Sequence, residues 1–162
     1  SGTGSAALLP QLGHALSSTR GQVSHVRFQA PPQTNICFGG YATPADADGV
    51  SMLGATFQPW ESDPSVRDED HAQNIENWRN ALGDAAALPE VIGGWTGFRS
   101  SSKDRFPVVG TYDGLRISTA HASHGLISAP YAAEILISEL LGHPIPAFRD
   151  VLAALSPARF IP

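Results

Sequence analysis

The chain has 162 residues and a net charge of −5 at neutral pH, so it has the size of one domain and no broad basic surface. A protein of this charge does not hold nucleic acid by phosphate neutralisation over its whole surface. Its single cysteine, Cys37, excludes an internal disulfide and favours a reducing compartment, so we expect a cytoplasmic location. No run of about 18 apolar residues predicts a membrane span. Because the chain begins without methionine, we expect it to be a piece of a longer protein.

The N-terminal residues predict a lead-in followed by a strand. Within residues 1–19, leucines recur at helical spacing but are interrupted by Pro10, which predicts a short helix or a loop. Residues 20–28 alternate between apolar and polar side chains, as a half-buried strand does.

A β-hairpin is predicted next. Its strands are expected within residues 34–43 and 49–57, because the Asp48-Gly49 step between them is typical of a tight turn. Cys37 lies in the first apolar run and is interpreted as a small core residue.

A helix is predicted over residues 66–83. Ser65 is a suitable N-cap, and acidic residues in the first turn suit the positive end of the helix dipole. Gly83 is expected to end the helix. Apolar residues at helical spacing form one face: Ala72, Ile75, Trp78 and Leu82. The three tryptophans are interpreted as core residues rather than stacking platforms: Trp60, Trp78 and Trp95.

Two further strands and two helices complete the pattern. Residues 93–102 and 114–120 are predicted to be strands of the same sheet. A helix of about five turns is expected from Gly125 to Gly142, and a shorter one over residues 148–155. The fold class is therefore α+β, with a mixed, mainly antiparallel sheet, helices packed on it and a long C-terminal helix.

The junction between the last strand and the long helix is the most informative stretch for chemistry. Small residues on either side of Gly125 let a flat ligand approach the backbone. The free N–H groups of the first helical turn favour negative charge there. The residues alone leave two interpretations open, an ordinary tight turn or an anion or cofactor site.

Arg99 is a second candidate, in a strand flanked by apolar residues. Its planar guanidinium can hold a carboxylate through two parallel hydrogen bonds, although an exposed strand arginine explains the same pattern. His121 and His124 have no further ligands nearby, so no metal site is predicted. The chain contains neither the Gly-x-Ser-x-Gly motif of serine hydrolases nor the Gly-x-Gly-x-x-Gly fingerprint of a complete dinucleotide site.

Five ordered segments carry a family resemblance over about residues 20–158. They are Arg20-Gly21-Gln22-Val23-Ser24-His25, Gly40-Tyr41-Ala42-Thr43-Pro44, Gly54-Ala55-Thr56, Gly97-Phe98-Arg99 with Asp104-Arg105-Phe106-Pro107-Val108-Val109-Gly110, and Gly125-Leu126-Ile127-Ser128-Ala129-Pro130. The sequence resembles the D-amino-acid oxidase and glycine oxidase superfamily. Within it, the sequence is most similar to the C-terminal FAD oxidoreductase part of MnmC-like enzymes.

The resemblance implies an enzyme of two parts. One is a nucleotide-binding Rossmann domain, which is missing from this chain, and the other is a substrate sheet that returns to a helix in contact with FAD. For this chain it implies a substrate-binding sheet over residues 20–120 with the inserted helix 66–83. The FAD-contacting turn and C-terminal helices would follow over residues 121–162. FAD is thus the implied cofactor, with an incomplete site here.

The same resemblance implies the roles of particular residues. Arg99 would hold a substrate carboxylate and Tyr41 would add a hydrogen bond to it. No side chain is implied to be catalytic, because the flavin carries the chemistry. The backbone implied to face the flavin ring belongs to Ser123, His124, Gly125, Leu126 and Ile127.

MnmC-like enzymes act on the wobble uridine of tRNA, which is the partner that the resemblance implies. They oxidise the glycine-like C–N bond of 5-carboxymethylaminomethyluridine and leave an aminomethyl base for a methyltransferase domain, which can be fused upstream. Two alternatives stay open: a glycine or D-amino-acid oxidase acting on small amino acids, and an isolated non-catalytic module. His124 stands where MnmC-like sequences tend to have arginine, which leaves the exact amine open.

Overall fold

The computed structural model describes residues 2–59, 61–83 and 87–161 of the chain. It contains two compact units: one takes in the residues up to Thr19 and from Phe98 onwards, and the other is Arg20–Gly97. The interpretation of Trp60 as a core residue lies outside the described residues. None of the helices that the structure describes is both long and apolar enough to span a bilayer.

A six-stranded sheet organises the Arg20–Gly97 unit. Strands β1 to β4 pair antiparallel in the order β2-β3-β4-β1, and β5 and β6 also pair with β1. The strands are β1 Leu16–Arg27, β2 Ile36–Cys37, β3 Tyr41–Ala42, β4 Ser51–Gly54, β5 Gln58–Pro59 and β6 Glu90–Ser102.

The predicted hairpin is confirmed between β3 and β4, but the run expected as its first strand, residues 34–43, is divided into β2 and β3, which pair with each other. Ala42 of β3 lies opposite Leu53 of β4. In the connecting turn Gly49 has a φ of +74°, which a glycine adopts without steric strain. The Asp46 carboxylate accepts a hydrogen bond of 2.9 Å from the backbone N–H of Val50 and closes the turn.

Helix α2 covers one face of this sheet and runs Asp68–Leu82. Trp78 packs with three side chains of that face in a core cluster made of Val26, Ala42, Leu53 and Trp78. The tryptophan was predicted correctly, and Gly83 ends the helix with a φ of +84°.

Other details of α2 were predicted wrongly. The residue before the helix is Arg67 rather than Ser65, and in the described part of the chain no side chain caps this end. Its buried residues are Asp70, Asn74 and Trp78, whereas Leu82 is 44% exposed. The apolar pattern missed this buried stripe because its polar members bind polar groups of β1, which periodicity does not register.

The other unit is built around a second, two-stranded sheet of β7 Val108–Tyr112 and β8 Leu115–Thr119. Its helices are α1 Ser5–Leu8, α3 Gly125–Leu141 and α4 Arg149–Leu155. Neighbouring residues of β7 belong to different core clusters, because they point to opposite faces of the sheet. Val108 packs with Leu12 of the N-terminal segment, and Val109 packs with Ile135 of α3.

The expectation that the last two predicted strands share a sheet is wrong. β6 pairs with β1, whereas β8 pairs with β7. Asp113 and Gly114 connect β7 and β8 directly with φ values of +48° and +74°, the conformation of a tight hairpin turn. The long helix behaves as predicted, because α3 ends at Gly142 in the left-handed conformation.

Candidate functional site

The start of α3 is exposed and carries no acidic side chain. The preceding 3-10 turn, Ala122–His124, leads into the helix, and none of the described side chains caps its N-terminus. No acidic residue lies in the first turn. Leu126 and Ile127 are 97% and 79% exposed, so the backbone of this turn is accessible. Uncapped N–H groups and the helix dipole make this end favourable for a partner that carries negative charge.

The turn before α3 is held by His121. The Ser128 hydroxyl donates to the backbone oxygen of His124 at 2.9 Å, so it accepts a hydrogen bond of 2.8 Å from Nδ1 of His121. Ser118 then donates to Nε2 at 2.9 Å. Burial lowers the pKa of His121 below its usual value, which agrees with this neutral ring held between two hydroxyl groups.

The backbone on both sides of His121 is strained. Ala120 and Ala122 have φ values of +59° and +50°, a region that residues with a Cβ rarely adopt. The surrounding structure must hold these conformations, and such positions often lie at functional sites.

Arg99 lies near the end of β6, half-buried, in the same unit as α3. Its Nη1 atom is buried and has no hydrogen-bond partner among the described residues. An isolated bridge pairs Ser101 with His121, so the strand that carries Arg99 reaches the segment leading into α3. A buried guanidinium nitrogen without a partner is costly unless something outside the described chain binds it.

Tyr41 belongs to the Arg20–Gly97 unit. It lies in β3 directly opposite Gly54 and is half-buried. A Cβ at the preceding Gly40 would lie 2.6 Å from the backbone oxygen of Gly54, so glycine permits this close strand pairing.

Sequence reasoning missed the buried polar cluster around Arg20. Arg20 is fully buried and forms an ion pair of 2.5 Å with Asp70. The same nitrogen, Nη1, also donates to the side chain of Gln58, whereas Nη2 donates to the Gln22 side chain and the Ser65 backbone oxygen and Nε donates to the backbone oxygen of Asp63. An arginine next to a glycine in a strand gives no signal of burial, since all of these partners except Gln22 lie more than thirty residues away.

The comparison with protein families decides the class of protein. The model of the DAO family, described as FAD dependent oxidoreductase, matches residues 1–139. The chain belongs to the DAO family of FAD-dependent oxidoreductases. The predicted resemblance is thereby confirmed.

Relatives of this DAO-family chain share a third or more of its residues. The "tRNA 5-methylaminomethyl-2-thiouridine biosynthesis bifunctional protein MnmC" of Aromatoleum aromaticum is 36% identical over 89% of this chain. The protein of the same name from Azoarcus sp. is 37% identical over 89%, and that of Chromohalobacter salexigens 33% identical over 93%. The chain spans 26% to 27% of the length of these relatives.

Solved structures confirm the DAO-type fold. Glycine oxidase from Geobacillus kaustophilus superimposes with a TM-score of 0.77 and 21% identity, over 96% of this chain and 43% of that protein. Iminodiacetate oxidase from Chelativorans sp. BNC1 gives a TM-score of 0.75 and 24% identity, over 96% and 44%. The predicted α+β class with a long C-terminal helix is therefore correct.

Proposed function

We propose that this DAO-family chain is part of an enzyme that oxidises a glycine-like secondary amine. The substrate would be 5-carboxymethylaminomethyluridine, or its 2-thio form, at the wobble position of tRNA, from which the enzyme removes the carboxymethyl group. Support comes from the relatives that are 33% to 37% identical, which are all named as tRNA 5-methylaminomethyl-2-thiouridine biosynthesis proteins.

The buried nitrogen of Arg99, for which the described residues supply no partner, is the observation that carries the proposal. A carboxymethylamine substrate bears a carboxylate, and two parallel N–H···O bonds from one guanidinium fix both its position and its plane. Tyr41, on β3, would add a hydrogen bond through its phenol group. Arg99 and Tyr41 would thus bind and orient the substrate without exchanging protons with it.

The residues at the start of α3 fit a flavin. The small side chain of Ser123 and the bare backbone of Gly125 leave room for the ring. The uncapped N–H groups of the first turn and the absence of acidic residues there favour negative charge beside it. Bound FAD supplies the two-electron oxidation of the C–N bond. The backbone of Ser123, His124, Gly125, Leu126 and Ile127 would hold the ring, and His121 would hold that backbone.

The chain would need a larger protein to act. Since it spans about a quarter of the length of its MnmC relatives, the Rossmann part that binds the adenine nucleotide of FAD is proposed to lie outside it, together with any methyltransferase domain. Alone, the chain is proposed to be inactive, and the whole enzyme to be cytoplasmic.

An assay of the complete protein tests the substrate. We expect oxidation of tRNA that carries 5-carboxymethylaminomethyluridine, measured by mass spectrometry of the digested nucleosides as loss of the carboxymethyl group. Arg99→Gln should raise KM for this tRNA by about tenfold to a hundredfold, because a charge-assisted bond is lost. Arg79→Ala, at an exposed position of α2, serves as the matched control and should leave KM unchanged.

A second candidate is an oxidase of glycine or another small amino acid. The net charge of −5 favours it, because an enzyme that binds tRNA needs a basic approach to its site. Hydrogen peroxide release from glycine or a D-amino acid, with the modified tRNA left unchanged, would support this candidate and contradict the first.

A further inference from the structure

Trp95 lies on a sheet face of which the proposed function uses Tyr41 alone. In β1 and β4, Val26 and Leu53 point to α2, so the alternate residues Val23, His25 and Met52 point to the opposite side. Tyr41 shares that side, since it lies opposite Gly54, which itself lies opposite Val23.

Two glycines of β6 show which way its side chains point. A Cβ at Gly94 would lie 2.6 Å from the ring of His71 on α2, so Gly94 faces the helix. A Cβ at Gly93 would lie 3.9 Å from Nδ1 of His25, so Gly93 and the alternate residue Trp95 face away from α2. We name this side the Trp95 face; its strand positions are Val23, His25, Arg27, Tyr41, Met52, Gly54, Val91, Gly93, Trp95 and Gly97.

The indole of Trp95 is exposed and lies against Gly97. It is 62% exposed, in contrast to the buried Trp78. A Cβ at Gly97 would lie 2.7 Å from Cζ3 of the indole, so one side of the ring lies on the bare backbone of Gly97. The interpretation of Trp95 as a core residue is therefore wrong. An indole supported from behind by glycine is pre-organised to stack with another flat ring.

Charge is divided between the two sides of this sheet. The strand positions of the Trp95 face contain the basic residue Arg27 together with His25, and they contain no carboxylate. On the opposite side, α2 carries four acidic residues: Asp68, Glu69, Asp70 and Glu76. In a chain whose net charge is −5, a strand face without acidic groups suits a polyanion.

We propose that the Trp95 face binds single-stranded RNA, with one nucleobase stacked on the indole of Trp95 and a phosphate beside Arg27. The inference rests on the proposed tRNA substrate and specifies which surface of the chain meets it. Stacking on an aromatic side chain is the usual way in which proteins hold an unpaired base, since every base has a flat face.

Fluorescence anisotropy of a labelled RNA hairpin with an anticodon-loop sequence tests the inference on the 162-residue chain at low salt. We expect Trp95→Ala to weaken binding about tenfold and Trp95→Phe to weaken it much less, because phenylalanine keeps the stacking. Arg27→Ala should reduce the slope of log affinity against log salt by about one phosphate contact. Arg79→Ala, on α2, is the matched control and should change neither quantity.

Each outcome decides the matter. If the unmodified chain does not bind the RNA, or if the Trp95→Ala variant binds it equally well, the inference is wrong. The nucleoside assay of the complete protein tests the proposed tRNA substrate separately. Acrylamide quenching of the complete protein and its Trp95→Phe variant gives a second measurement. If the emission due to Trp95 is shielded from acrylamide without RNA, another part of the longer protein covers this face and the inference is wrong.

Discussion

Arg20 and Arg99 show how differently two arginines of one chain can be used. Arg20 is fully buried, and each of its three nitrogens has at least one acceptor among Asp63, Ser65 and the side chains near them. Arg99 keeps a buried nitrogen for which the described residues supply no acceptor. Because all of its nitrogens have acceptors, the first guanidinium has a structural role, and the missing partner of the second supports the binding role proposed for it.

We expect Arg20→Ala to lower the free energy of unfolding by about 3–5 kcal/mol, because Asp70 would be left as an unpaired buried carboxylate. Urea unfolding followed by circular dichroism measures this change. Arg79→Ala removes an exposed ion pair with Glu76 and should cost no more than about 0.5 kcal/mol. Similar losses for the two variants would show that the Arg20 cluster does not stabilise the fold.

Asp104 makes stability depend on pH in the acid range. The Arg159 guanidinium, 2.7 Å away, lowers the pKa of Asp104 to about 2 from its usual 3.8. A carboxylate with a lowered pKa stabilises the fold above about pH 4, and this contribution is lost as the pH falls towards 2. Since 37% of the side chain is exposed, solvent screening limits the contribution to about 1 kcal/mol.

Urea unfolding at pH 7 and again near pH 2.5 checks this effect of Asp104. The difference in unfolding free energy between the unmodified chain and Asp104→Asn should be largest at pH 7 and shrink at pH 2.5. A difference that stays constant between the two pH values would mean that Asp104 is not paired in the folded chain.

Single residues were the hardest features to foresee. Arg99 was predicted to bind the substrate only because of the family resemblance, since a strand arginine by itself is most often exposed. Cys37 was expected in the core but is exposed, because β2 is only two residues long and lies at the sheet edge. The exposure of Trp95 depends on which side of β6 faces α2. That side is identified by the contacts of Gly94 with α2 and of Gly93 with β1, which are remote in sequence.

At the scale of elements, local sequence signals were sufficient to predict the features that depend on turn residues or on helical periodicity. Gly83 and Gly142 end their helices as predicted, each at a positive φ. The partners of the strands were less predictable, because pairing depends on contacts that are remote in sequence. The Asp113-Gly114 step could have indicated that β8 turns back onto β7.

The strained turn before α3 gives a prediction at this scale. Ala122→Gly should raise the free energy of unfolding by about 0.5–1 kcal/mol, because glycine adopts the observed φ of +50° without a Cβ clash. Ala133→Gly, at an exposed position inside α3, is the opposite control and should lower it by about 1 kcal/mol. Thermal or urea unfolding measures both changes. Destabilisation by both variants would mean that the turn is not strained in solution.

For the molecule as a whole, the fold class and family followed from five ordered segments, none of which is specific alone. The chain nevertheless spans only 43% of a glycine oxidase of the same fold and about a quarter of its MnmC relatives. Its own residues include the start of a helix suited to a flavin ring, but no Gly-x-Gly-x-x-Gly segment for the phosphates and adenosine of FAD.

We therefore expect the 162-residue chain to retain much less than one flavin per protein after incubation with FAD and desalting. The start of α3 would contact only the flavin ring. Most of the binding free energy of a dinucleotide comes from its phosphates and adenosine, which the Rossmann part binds. The visible absorption spectrum measures the flavin retained. The longer protein, treated in the same way, is the control and should keep a stoichiometric flavin band. If the chain alone keeps such a band, its cofactor site is complete and the proposed dependence on another domain is wrong.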